Sequence, residues 1–300
     1  MEGAGASMVS HAAELATREM ESAHEEPELP SAIQDLVRRL EGQGEPMTRL
    51  PNLSGPEFLD FFPEGASTII GWRSQVRLRV LEAIGSCNTF EILDVHDICG
   101  GNIMRLTASE WELVFRGFRS STILQQIRLG PSLWDLEANW ESLCLQLGRI
   151  LNSSSVKELK VVRRRISVRC FLNLASGLQG HSDSKLQSLD LYDAWEDSSA
   201  MKHVADMINS APLLEKLLLG DSFNENDMED ETVEILSQAL IQSSSLKELE
   251  LDGVKWGPAL LQKALAGDDR NRSIERVRLF GPMSRTPQWS LNSILGVKIK

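Results

Sequence analysis

Basic charge is in short supply in this chain. Its 300 residues carry 31 Lys and Arg against 43 Asp and Glu, a formal charge of −12, whereas a protein that grips phosphate backbones needs a basic footprint. Nucleic acid is therefore not expected as a partner. The deficit is lopsided: through Pro46 ten acidic residues face three arginines, a net of −7, so more than half of the excess sits in the N-terminal segment. Cysteine offers nothing to a catalyst or a metal site. Cys87, Cys99, Cys144 and Cys170 form no CxxC pair and have no histidine at zinc-finger spacing, so they read as small buried hydrophobes.

Long apolar runs are missing too. No stretch approaches the roughly 18 apolar residues that a membrane span needs, and Met1 to Met20 lacks a basic region followed by an apolar one. The expected location is the cytosol, with the nucleus as the alternative, and no membrane is expected as a partner. The sequons at Asn52, Asn152 and Asn271 are then chance matches. Catalytic signatures are absent: there is no GxSxG elbow, no GxxxxGK[ST] phosphate loop, no HExxH and no GxGxxG after a strand. The five histidines (His11, His24, His96, His181, His203) are scattered. His96, between Asp94 and Asp97, reads as a solvated surface imidazole. Neither enzymatic activity nor a cofactor or metal ion is expected.

The composition that remains, 42% hydrophobic and 25% charged, suits an ordinary soluble protein with a sizeable core. Residues 1–30 hold too few branched or aromatic side chains to offset the entropy of ordering and read as a disordered acidic tail. From Ser31 the texture changes, with Ser31-x-x-Gln34 as a capping box and Ile33, Leu36, Val37 and Leu40 on one helical face. Pro46, Pro51, Pro56 and Pro63 then break the pattern, so 31–71 reads as an irregular helical N-terminal cap.

Over 72–300 one signal dominates, a hydrophobic triplet spaced 1, 4, 6. The copies are Phe90, Leu93, Val95; Leu124, Ile127, Leu129; Val156, Leu159, Val161; Leu186, Leu189, Leu191; Leu214, Leu217, Leu219; Leu246, Leu249, Leu251; and Ile274, Val277, Leu279. Successive copies are 34, 32, 30, 28, 32 and 28 residues apart. Each triplet predicts a short strand with positions 4 and 6 turned inward and positions 3, 5 and 7 outward. Between triplets the period changes to 3.6. Thr107-x-x-Glu110 opens one helix as a capping box ahead of Trp111, Val114, Phe115 and Phe118, and the stripes Phe171, Leu174, Ala175, Leu178 and Met201, Val204, Ala205, Ile208 mark two more. Trp140 heads a similar stripe with Leu143, Leu147 and Ile150, so it reads as core rather than as part of a ligand box with Trp134 and Trp195. Strand and helix alternating at this period predict an α/β solenoid. Its right-handed crossovers put a parallel sheet on the concave face, and the helices lie outside.

These residues resemble the leucine-rich repeats, in particular the longer ribonuclease-inhibitor-like subtype found in cytosolic nucleotide-binding leucine-rich-repeat receptors. The clearest copies are Ala239 to Leu251 and Ile150 to Val161, and the likeness covers Trp72 to Pro282, about seven repeats, followed by a short C-terminal cap carrying Trp289, Leu291, Ile294 and Val297. The chain departs from the family three residues after the last leucine, where the pattern has Asn or Cys. Here that position reads Ile98, Ser132, Arg164, Ala194, Ser222, Val254 and Pro282, so no asparagine ladder joins the turns.

The resemblance implies a protein-binding module of immune or signalling regulation, acting as a monomer through its concave face. The outward positions there fall in charge zones. Arg128, Lys160 and the run Arg163 to Arg165 make a basic zone; Asp190, Asp193, Asp221, Glu250 and Asp252 make an acidic one; Arg276 and Arg278 close the array. Tyr192 and Phe280 are the aromatic anchors expected of an interface. Two alternatives rest on likeness alone. One is a GTPase-activating protein similar to the Ran GTPase activator, in which, unlike here, the acidic tract follows the repeats. The other is an F-box-like ubiquitin-ligase adaptor, suggested by Leu29-Pro30 ahead of the Ile33 to Leu40 helix.

Overall fold

A leucine triplet cannot form a stable strand alone. Burying three such side chains contributes about 1.5–3 kcal/mol each, while fixing five strand residues costs about 1–2 kcal/mol apiece. Each rung therefore needs the next one beside it. The computed structural model of the chain describes residues 29, 31–51, 74–99, 106–130, 140–153, 155–163, 165–179, 184–221, 228–266 and 268–280. The expected acidic tail (apart from Leu29), residues 52–71 of the N-terminal cap, the C-terminal cap, Trp134 and Arg164 lie outside the described residues.

The triplets form β1 (Ile92–Asp94), β2 (Gln126–Leu129), β3 (Glu158–Val162), β4 (Ser188–Tyr192), β5 (Lys216–Gly220), β6 (Glu248–Asp252) and β7 (Arg276–Phe280). They make one seven-stranded parallel sheet whose spatial order is the chain order. Register does not drift. Leu93, Ile127, Leu159, Leu189, Leu217, Leu249 and Val277 stand in one row across the sheet, and Leu129, Val161, Leu191, Leu219, Leu251 and Leu279 in a second. Both rows are buried apart from Val277, which is half-buried. Because a slip of one residue would turn every leucine to the opposite face, the two rows fix the register of the whole sheet.

The helices are α1 (Ser31–Leu40), α2 (Ser74–Ser86), α3 (Val95–Cys99), α4 (Ala108–Phe115), α5 (Trp140–Ser153), α6 (Val168–Leu178), α7 (Met201–Ser210), α8 (Asp230–Gln242) and α9 (Gly257–Leu265). Their apolar stripes join positions 4 and 6 of the strands in one core. Thr107 and Glu110 form the expected reciprocal capping box of α4. At α1 the expected box is replaced: Ser31 is already helical, and the Gln34 amide donates to the Leu29 carbonyl at 2.7 Å. Helices α5 and α6 approach closely through glycine, since a Cβ on Gly177 would stand 2.3 Å from the Gly148 backbone.

Two backbone devices and one side-chain device link neighbouring rungs. First, the carbonyl just ahead of each strand accepts from two successive N–H groups of the next rung: Glu91 from Gln125 and Gln126, Gln125 from Lys157 and Glu158, and so on to Lys247, which accepts from Glu275 and Arg276. Thr48 accepts in the same way from Glu91 and Ile92, and Arg49 pairs with Ile92 in parallel. Residues 47–50, which the sequence places in the irregular cap, thus add a partial rung ahead of β1, with Met47 and Leu50 buried.

Second, a hydroxyl one residue ahead of the triplet donates to the first triplet carbonyl of the preceding rung. Thr89 reaches Met47 at 2.8 Å, Ser155 reaches Leu124 at 2.7 Å, Ser245 reaches Leu214 at 2.8 Å and Ser273 reaches Leu246 at 2.8 Å. Buried Asn271 reinforces the last of these, donating to Leu240 and Ser243 and accepting from the backbones of Ser273 and Ile274. Third, the residue after the strand donates its N–H across to the next rung: Arg163 to Tyr192, Asp193 to Gly220, Asp221 to Asp252 and Gly253 to Phe280. Arg163, Asp193 and Gly253 adopt left-handed φ of 53°, 52° and 71° to do so.

Candidate functional site

The helices cover the leucine face of the sheet; the opposite, open face carries positions 3, 5 and 7. The nine residues expected to bind a partner, Arg128, Lys160, Asp190, Tyr192, Glu250, Asp252, Arg276, Arg278 and Phe280, all stand at those positions. Register places them in rows. Row 3 runs Ile92, Gln126, Glu158, Ser188, Lys216, Glu248, Arg276; row 5 runs Asp94, Arg128, Lys160, Asp190, Leu218, Glu250, Arg278; row 7 runs Val162, Tyr192, Gly220, Asp252, Phe280.

Three expectations about this face need correction. Asp193 and Asp221 do not belong to it, because they sit in the turn after the strand and are 3% and 5% exposed. The acidic zone shrinks to Asp190, Glu250 and Asp252, with Glu248 alongside. His96 is not an outward strand residue either: β1 ends at Asp94 and α3 begins at Val95, so His96 lies in a helix. Gln126 points outward yet is buried, wedged as donor to the Glu158 carboxylate and as acceptor, at 2.9 Å, from Arg128 Nε.

The zones are also less separate than sequence order implies, because pairing within and across rungs mixes their charges. Lys160 Nζ lies 3.0 Å from Glu158, Arg278 lies 3.3 Å from Glu250, and Glu248 takes both Arg276 and, at 3.8 Å, Lys216. At the first rung Arg49 holds Asp97 at 2.9 Å and Asp94 at 3.4 Å. Half-exposed pairs of this kind stabilise little, about 0–1 kcal/mol each, but they orient side chains. The face is patterned rather than uniformly charged.

No family model matches the chain, and no curated protein matches it. The site therefore has to be read from its geometry. Among the described residues, no group of three or more His, Cys, Asp or Glu side chains is placed to hold a metal ion, and no helix is long and apolar enough to cross a membrane.

Asp190 is the exception in the ionic pattern. Alone among the charged members of row 5, it makes neither a hydrogen bond nor an ion pair with a described residue, and its Oδ1 is buried without a partner. Burial raises its carboxyl above the ordinary aspartate range; Lys160 opposes that shift, while the charges of Glu158 and Glu250 add to it. Tyr192, two residues on, lays its ring over the neighbouring strand at Gly220, where a Cβ would stand 2.3 Å from Tyr192 Cδ2. Glycine is what lets the ring lie there. The alternation of strand positions marked Tyr192 as outward, but the flat shelf it makes depends on Gly220, a residue 28 positions away that only the register brings alongside.

Among the described residues, Trp195, Trp140 and three cysteines belong to the core. Trp195 is buried and Trp140 half-buried against the core. Cys87, Cys144 and Cys170 are buried thiols. Cys144 sits beside Cys170, and hydrogen bonding from it and from Ser167 holds the Cys170 thiol below its usual range.

Proposed function

We propose that this chain is a leucine-rich-repeat solenoid of the ribonuclease-inhibitor-like kind and that the open face of its sheet binds another protein. The observation that carries the reading is positional: in-register parallel strands bring nine outward residues, spread over more than 150 positions of sequence from Arg128 to Phe280, onto one face. Repeat arrays present extended surfaces in this way, and a face patterned with both charge signs around Tyr192 selects by orientation and by rejecting wrong partners. Immune or signalling regulation, in the cytosol or the nucleus, is the setting that the leucine-rich-repeat resemblance implies. No observation favours the GTPase-activator or ubiquitin-ligase-adaptor readings, which stand second.

The test is capture of partners by the full chain in three forms: wild type, an open-face swap (Arg128→Glu with Lys160→Glu) and a helix-side swap (Arg169→Glu with Lys202→Glu). A specific partner lost with the open-face swap and kept with the helix-side swap supports the proposal. The same partner recovered at equal yield by all three overturns it.

A further inference from the structure

Asp190 stands between two ion pairs in row 5 without joining either. On one side Lys160 is engaged by Glu158 at 3.0 Å; on the other, beyond Leu218, Glu250 is engaged by Arg278 at 3.3 Å. Elsewhere in the row Asp94 has Arg49 and Arg128 has Gln126. Lys160 tempers the charge of Asp190 from the neighbouring strand, but a half-buried carboxylate that no described residue pairs directly is still costly to keep, and surface positions held against stability are where binding function concentrates.

The surroundings specify what would complete it. Register sets Asp190 opposite Leu218 and Tyr192 opposite Gly220, so the Tyr192 ring over Gly220 and the half-buried Leu218 side chain form one apolar shelf. Glu250 and Asp252 flank that shelf on the next strand. Strands lie about 4.8 Å apart, so Asp190 and Glu250 are about 10 Å apart across it. Acids on two sides of an apolar, partly aromatic floor suit a long side chain with an aliphatic stem and a cationic head: the stem packs on Leu218 and the ring, and the head reaches a carboxylate over the Tyr192 face.

We infer that the Asp190, Tyr192 and Leu218 patch is the specificity point of the open face and receives an arginine or lysine side chain of the partner protein. This rests on the open face being the binding surface, and the experiment separates the two claims. A randomised peptide library of about twelve residues is panned on the full chain, and selected peptides are then measured on wild type, Asp190→Asn, Tyr192→Ala and the Arg128→Glu, Lys160→Glu swap.

The expected result is that selected peptides share a basic residue, bind at least about ten-fold more weakly to Asp190→Asn, and lose affinity as salt is raised. Asp190→Asn is nearly isosteric and removes a half-buried charge whose burial outweighs the attraction of Lys160, so its melting midpoint, no lower than that of wild type, serves as the folding control. Peptides without a shared basic residue, or an empty selection, overturn the inference. Binding weakened by the Arg128→Glu, Lys160→Glu swap but unchanged by Asp190→Asn and Tyr192→Ala also overturns it and leaves the open face standing. Peptides indifferent to every open-face variant remove both claims.

Discussion

At the scale of the residue, Asp190 sets an unusual pH dependence. Its carboxyl is raised chiefly by burial, with Glu158 and Glu250 adding to the shift and Lys160 opposing it. The folded state therefore holds this proton more tightly than the unfolded chain does. Stability linked to it is complete below the unfolded value and is lost as the pH rises through the folded one. At neutral pH the ionised group is a net burden on the fold. Asp190→Asn is expected to raise the thermal midpoint at pH 7, with the advantage over wild type shrinking as the pH falls into the ordinary carboxylate range. Differential scanning calorimetry across that range checks it, and a variant less stable than wild type at pH 7 would contradict the account. Sequence alternation alone put Asp190 on the outward face, but it could not reveal that no described residue forms an ion pair with it. That depends on Lys160 choosing Glu158, its neighbour on β3, over Asp190 across the strand gap.

At the scale of the element, the turns carry the information that a repeat consensus would have supplied through asparagine. The serine runs ahead of β3 and β6 look like filler in sequence, yet one hydroxyl in each has a fixed partner, because Ser155 and Ser245 tie their rung to the carbonyl of the rung before. Ile123 and Leu213 occupy the equivalent position in the β2 and β5 repeats and are exposed, 41% and 44%. The hydroxyl ladder is thus interrupted at those rungs. Ser245→Ala is expected to cost about 1 kcal/mol, the net worth of one intramolecular hydrogen bond. Ser244→Ala, at an exposed neighbour, should stay within about 0.5 kcal/mol of wild type. Urea melts of the two variants separate a specific bond from a general effect of the loop; equal losses would show that the hydroxyl position is immaterial.

At the scale of the molecule, the strands and their order were legible because period-2 and period-3.6 patterning alternate seven times. The partial rung at Met47 to Leu50 was not, since its triplet is incomplete: the register that pairs Arg49 with Ile92 puts Asn52 where a leucine would fall. The two ends of the described array differ as a result. At the N-terminal end Ile33, Leu36, Val37 and Leu40 of α1 are buried and the partial rung covers β1, whereas at the C-terminal end Ile274 and Val277 are only half-buried. In an array whose repeats touch only their neighbours, disruption should spread according to where it falls. Leu189 in β4 is 1% exposed with a rung on either side, so Leu189→Ala should cost about 2–5 kcal/mol and lower the global transition. Leu279→Ala, in the last described strand, should instead speed amide exchange in β6 and β7 while β2 to β4 keep their protection. Hydrogen exchange read strand by strand decides the matter. If Leu279→Ala loosened all seven strands equally, the sheet would be a single cooperative unit and not a stack of mutually supporting rungs.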